Sequence, residues 1–174
     1  MKVFTSIGQW PEQSWSWLLL FLSSLALVLT ALYFQYSMGL EPCIMCIYQR
    51  VATIAIGVAA LLPLFSNNTI TRLLAFIGWG VSAIWGFFIA REHVDMLGAS
   101  NPFFVTCDIV PNFPDWLLLH EWLPSMFAAT GDCGEIDWVF AGLAMPEWMV
   151  VVFAIYSVLF ISVLGARLLS AKKL

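Results

Sequence analysis

Charge is scarce in this chain: only 10% of its 174 residues are Asp, Glu, Lys or Arg, against an average of about 25% in soluble domains. That scarcity excludes an ordinary soluble globular domain, and the 61% of residues that are hydrophobic exclude disorder. Basic residues are scarcer still, seven against eleven acidic ones, so no surface exists for neutralising phosphates and no nucleic-acid partner is expected. Residues 92–147 hold no Lys or Arg at all. A glycine-rich nucleotide fingerprint is also missing, which argues against bound FAD or NAD. No internal repeat, low-complexity tract or Ser/Gly linker divides the chain, so a single integral membrane domain over residues 1–174 is expected.

What is present is a set of long apolar runs. Charge-free stretches cover residues 15–34, 51–65, 73–90 and 148–166. The second reaches spanning length only if it starts near Cys43, which brings Arg50 into its first turns. At about 1.5 Å per residue, 18 to 23 residues reach roughly 27 to 35 Å, the thickness of the hydrocarbon layer. An all-α membrane protein follows, a four-helix bundle with spans near 15–34, 43–65, 72–91 and 147–168 and both termini on one side. The first run is too long for a secretion signal and ends in Tyr33-Phe34-Gln35-Tyr36 rather than small residues, so it reads as a retained anchor.

Lys2, Arg72, Arg167, Lys172 and Lys173 belong to the termini and the turn between spans two and three. The positive-inside rule therefore puts those segments in the cytoplasm. Every acidic residue except Glu12 then faces outward. Trp15, Trp17, Trp116, Trp122 and Trp148 fall where interfacial anchors belong. Two outer loops result, about 35–42 and 92–146. The second contains Pro102, Pro111, Pro114 and Pro124 and is long enough to be functional. Its segment 116–127, WLLLHEWLPSMF, reads as a short helix in the outer interface.

All four cysteines, Cys43, Cys46, Cys107 and Cys133, fall on the outer side, and none lies mid-span. Four thiols allow three pairings. Cys43-Ile44-Met45-Cys46 has the C-x-x-C spacing that closes a tight, reducible ring, typical of a redox-active pair. Two inert loop staples are the competing reading, but so small a ring removes little loop entropy. A four-thiolate zinc site competes too; the missing second C-x-x-C and the oxidising side both disfavour it.

Arg50 lies four residues beyond Cys46, on the same helical face one turn deeper. An ionisable residue inside a span is a functional candidate, with snorkelling to the head groups as the alternative. His93, after Arg91-Glu92, is a candidate proton relay or interface cap. His120 reads as part of a polar face. Gly78, Gly80 and Gly86, with Ser82 and Ala83, form a close-packing surface.

The runs Glu41-Pro42-Cys43-Ile44-Met45-Cys46-Ile47-Tyr48-Gln49-Arg50, Arg91-Glu92-His93, Phe104-Val105-Thr106-Cys107-Asp108, Phe113-Pro114-Asp115-Trp116-Leu117, Gly131-Asp132-Cys133 and Met145-Pro146-Glu147-Trp148 closely resemble the DsbB family. These are quinone-dependent thiol oxidoreductases of the bacterial inner membrane that reoxidise the periplasmic oxidase DsbA. The resemblance extends from about Trp17 to Lys173. It implies redox disulfides Cys43–Cys46 and Cys107–Cys133, with Cys107 forming the mixed disulfide with DsbA. Cys133 then engages Cys43, leaving Cys46 as a thiolate beside the quinone. Arg50, with Cys46 and His93, would bind that cofactor, ubiquinone or menaquinone; no metal or flavin is expected. The implied partners are a DsbA-like thiol oxidase, the quinone pool and the bilayer, in the inner membrane of a Gram-negative cell with the cysteines periplasmic.

Energetics agree with such an acceptor, because DsbA is itself a strong oxidant and its regeneration demands a higher potential. A specialised homologue serving a dedicated partner is one alternative. A non-catalytic scaffold with structural disulfides is another, from a different class. A transporter is disfavoured, since mid-span offers only Ser23, Ser24, Thr30, Thr53 and Ser157 as polar groups.

Overall fold

The computed structural model describes residues 8–97, 110–134, 136 and 138–171. Four helices carry the bundle: α1 (Ser14–Ser37), α2 (Ile44–Phe65), α3 (Thr69–Leu97) and, after the long loop, α6 (Met145–Ala171). All four are long and apolar enough to cross a membrane. The expected all-α, four-span architecture is therefore observed. Helices α1, α3 and α6 outrun the expected spans, α3 by six residues past 91, because an Arg91–Asp95 pair at 3.7 Å on an exposed face carries that helix beyond the apolar run.

Helix α2 packs between α1 and α3, and α3 packs on α6. Several polar side chains inside the bundle are paired between helices, as a medium without water favours. Ser24 Oγ donates to the Thr53 carbonyl at 2.7 Å, and Ser23 Oγ meets Tyr156 Oη at 2.9 Å to tie α1 to α6. The glycines of α3 act as expected: a Cβ on Gly80 would enter the Phe160 ring, and one on Gly86 the Phe153 ring.

One end of the bundle is closed by the segment before α1. Arg167, 5% exposed, donates to the Gly8 carbonyl at 2.9 Å and pairs with Glu12 at 2.7 Å. Trp17, expected as an interfacial anchor, instead lies in the core at 2% exposure with Nε1 donating to the Pro11 carbonyl. It packs on Phe76 and Trp79, because the 3-10 turn Trp10–Glu12 folds back over that helix end and covers it. Trp15, Trp116 and Trp122 are exposed.

In the long loop, the expected interfacial helix is two single turns, α4 (Leu119–Trp122) and α5 (Pro124–Phe127). They are separated at Leu123, since the residue before a proline is driven out of the helical region. A hairpin that no sequence signal had suggested follows: β1 (Val139–Phe140) pairs antiparallel with β2 (Leu143–Ala144). Ala141 and Gly142 both take positive φ, the twist a two-residue hairpin needs.

Gly86 and Gly80 supply a test of the packing. Phe153 is fully buried, whereas Phe160 is only partly so, and only Phe160 has room to yield. Gly86→Ala should therefore cost about 2 kcal/mol and Gly80→Ala clearly less, read as thermal unfolding in detergent. Equal losses would contradict the assigned packing.

Candidate functional site

The site forms where α2 begins. Cys43 is the N-cap of α2 in an extended conformation, and its Sγ accepts from the Cys46 amide at 3.4 Å. Cys46 thus occupies the third helical position, where free amides and the helix dipole favour negative charge. Cys43 Sγ donates to Cys46 Sγ at 3.2 Å, well beyond the roughly 2.05 Å of a disulfide. Cys43 and Cys46 are therefore two thiols rather than a disulfide; Cys107 lies outside the described residues.

Cys133 is fully buried and packs with Cys43 and Ile44. The loop reaches α2 by its backbone: the amides of Thr130 and Gly131 both donate to the Pro42 carbonyl, at 3.0 and 3.1 Å. Gly131 is needed there, because a Cβ would collide with the Glu41 carbonyl. Cys133 and Cys46 consequently flank Cys43, each within hydrogen-bonding reach of it. Contact with Cys133 pulls the Cys43 thiol down, but the bond to Cys46 and burial outweigh it and push the thiol up to about 12.

Behind Cys46 a cavity of about 270 Å³ opens between α1, α2 and α6. Leu27, Val28, Ala31, Phe34, Met149 and Val152 make its apolar part; Cys46, Gln49, Arg50, His93 and Asp132 line its polar end. Arg50 is 6% exposed, so it does not snorkel to head groups. Its Nη1 donates to Gln35 Oε1 at 2.9 Å and to the Met126 carbonyl. Its Nε is buried with no partner, an unusual state for a guanidinium donor. α5 is held over Arg50 by Gln35 and Tyr36, which both donate to the Ser125 carbonyl.

His93, 2% exposed on α3, is neither a cap nor an interfacial group. Its Nε2 lies 3.5 Å from Cys43 Sγ and its Nδ1 3.3 Å from Gln49 Nε2. Cys43, Cys46 and His93 also lie close enough together to hold a metal ion. His120 stacks on Phe113, 5.8 Å between ring centres and away from the site. The structure thus gathers Cys43, Cys46, Cys133, Arg50 and His93. Gln35, Gln49, Gly131 and Asp132 join them without a role having been assigned to them. Gln49 had a readable signal, as it shares the helical face of Cys46 and Arg50; Gln35 had none, being set by tertiary packing.

A family model described as disulfide bond formation protein DsbB matches residues 13–163. A relative in Pseudoalteromonas atlantica named Disulfide bond formation protein B is 59% identical over 165 residues, covering 95% of this chain and 96% of that protein. One of the same name in Psychromonas ingrahamii is 49% identical over 172 residues, covering 98% and 92%. Another in Vibrio parahaemolyticus is 47% identical over 155 residues, covering 88% and 86%.

The three thiols should differ in reactivity. Cys43 is buried and its thiol is protonated through neutral pH, whereas Cys46 is partly exposed. In reduced protein titrated with iodoacetamide from pH 7 to 10, Cys46 should alkylate and Cys43 should stay free. Cys43 reacting first at pH 8 would contradict this arrangement.

Proposed function

The chain belongs to the DsbB family, and from that premise we propose that it reoxidises a DsbA-type periplasmic dithiol oxidase and passes the electrons to a membrane quinone. It is a multi-pass membrane protein and a disulfide-forming oxidoreductase. The observation that carries the finer reading is the row of three sulfurs, Cys133, Cys43 and Cys46, ending at the cavity beside Arg50.

In this reading a partner thiolate attacks Cys107 of the Cys107–Cys133 bond, forms a mixed disulfide with it and releases Cys133 as a thiolate. Cys133 attacks Cys43, the Cys43–Cys46 bond breaks, and Cys46 leaves as a thiolate. The partner's second thiol resolves the mixed disulfide and the partner departs oxidised, Cys107 leaving as a thiolate that attacks Cys133 and expels Cys43 as a thiolate. A quinone, ubiquinone or menaquinone, would be the two-electron, two-proton acceptor for the Cys43 and Cys46 thiols, closing that disulfide again.

The cavity suits such a group: an apolar trough for a prenylated ring, with charge and hydrogen-bond donors at one end. Arg50 has a donor to spare in its unpaired Nε. It acts on the Cys46 thiolate by its charge and would hold a quinone oxygen by hydrogen bonding. His93, on the same wall, is a second group toward the cofactor or its protons. No metal or flavin enters this cycle.

Under this reading the cysteine end faces the periplasm of a Gram-negative inner membrane and both termini the cytoplasm. The Glu12–Arg167 pair and Asn67, which donates to the Glu12 carbonyl at 3.1 Å, cluster together at the helix ends away from the cysteines. That grouping supports the orientation inferred from the basic residues. A dedicated partner in place of a general DsbA would leave this chemistry unchanged.

The test is quinone absorbance during turnover with a reduced DsbA-type protein. Wild type should reduce one quinone per disulfide formed. Arg50→Gln should raise the apparent quinone KM by about tenfold or more, the scale of one charged hydrogen bond, while Cys43–Cys46 still forms. Arg50→Lys should recover part of the loss, lacking the planar fork. An unchanged KM in Arg50→Gln would remove the cofactor assignment, and absence of quinone reduction would remove the function.

A further inference from the structure

Gln49 and His93 are buried at 3% and 2% exposure, and the sulfur relay described above assigns neither a step. Their contacts are specific. Gln49 Nε2 lies 3.3 Å from His93 Nδ1, across the α2–α3 interface. An amide nitrogen only donates, so Nδ1 accepts and the ring proton sits on Nε2. On that side His93 meets the loop: Nε2 is 3.5 Å from Cys43 Sγ, and the ring hydrogen-bonds the backbone of Cys133. A backbone carbonyl only accepts, so this second contact needs a ring N–H, and the Gln49 contact leaves that proton on Nε2. One tautomer serves both contacts.

We propose that Gln49 and His93 form a latch that docks the Cys133 loop on Cys43. Gln49 on α2 fixes the tautomer of His93 on α3, and His93 Nε2–H holds the Cys133 carbonyl while facing the sulfur that Cys133 must reach. The proposal rests on the relay reading of Cys43 and Cys133 and adds a docked state of the loop to it. Two side chains from different spanning helices thereby position a thiol that belongs to neither. The loop needs such a tether, because Cys133 serves Cys107 and Cys43 in turn, and the amides of Thr130 and Gly131 fix the chain two and three residues before it. Gln49 is a positioning residue: it acts through His93 and touches no reacting sulfur in the described contacts.

The titratable and charged groups around the ring are Cys43 on α2, Cys133 in the loop, and Cys46, Arg50 and Asp132 along the same cavity. The Asp132 carboxylate is engaged by the Gly134 amide at 2.6 Å.

The experiment labels the fully reduced protein with a maleimide in detergent, without partner or quinone, and quantifies each cysteine peptide against the same peptide in denatured protein. In the parent, Cys133 should be protected relative to Cys46. Gln49→Leu should raise Cys133 labelling about tenfold, the scale of one lost hydrogen bond, and leave Cys46 labelling within about twofold. Gln49→Glu gives a signature that a purely structural role would not. Its carboxylate accepts from Nδ1, so Nε2 keeps a proton only in the imidazolium. Cys133 should then stay protected near pH 6 and lose protection toward pH 8, while the parent's protection stays flat.

Parental protection in Gln49→Leu, or a flat profile in Gln49→Glu, overturns the latch. If Gln49→Leu exposes Cys46 as well, that variant has unfolded and the Gln49→Glu profile decides. Turnover plays no part in this readout, so failure of the quinone reaction and failure of the latch are separate results.

Discussion

The carbonyl of Pro42 receives the amides of Thr130 and Gly131, and the geometry of the thiol site follows from that junction. Pro42 directly precedes the N-cap of α2, so whatever binds its carbonyl lies beside the first turn of the helix. Cys43 and Cys46 are fixed by that turn. Cys133, two residues past Gly131, is brought onto Cys43 by the same junction. A loop of irregular backbone would ordinarily place a thiol only loosely. Two converging amides, and a glycine where a side chain would strike the Glu41 carbonyl, make the placement definite.

The membrane imposes the second condition. Polar groups inside a bundle must find partners there, and this chain satisfies most of them between helices: Ser23 with Tyr156, Ser24 with Thr53, Gln49 with His93. Among the exceptions Arg50 alone of the described residues is charged, with two of its contacts made and Nε left over at the wall of a cavity. Keeping a guanidinium buried with a donor to spare costs stability. Such a cost is reasonable where the donor meets a ligand rather than protein. At the opposite end of the molecule the buried Arg167 is met by Glu12 and the Gly8 carbonyl.

The architecture was legible because its signal is long: four apolar runs of spanning length survive errors of several residues at their ends, as the extra turns of α3 illustrate. The C-x-x-C pair and Arg50 were legible for a different reason, since helical periodicity alone puts Cys46 and Arg50 on one face. Trp17 was misplaced as an anchor because tryptophan near a helix end suits both the interface and a core, and only the fold-back of Trp10–Glu12 decides between them. The hairpin at Val139–Ala144 carries two residues per strand, too short for any period to show. His93 and Cys133 were visible singly, but their approach depends on the Pro42 junction, a contact between segments almost 90 residues apart. Gln35 and Gly131 belong to the same class of tertiary facts.

The central claim is that Cys133 moves the disulfide from the loop pair to the C-x-x-C pair through Cys43. The direct measurement uses the oxidised wild-type chain, without quinone, reacted with a DsbA-type partner whose resolving cysteine is replaced by alanine. The mixture is then quenched, alkylated and mapped by mass spectrometry. The account predicts the partner bound to Cys107, a Cys43–Cys133 disulfide, and Cys46 alkylated. A partner bound to Cys107 with Cys43–Cys46 intact and Cys133 alkylated would contradict it.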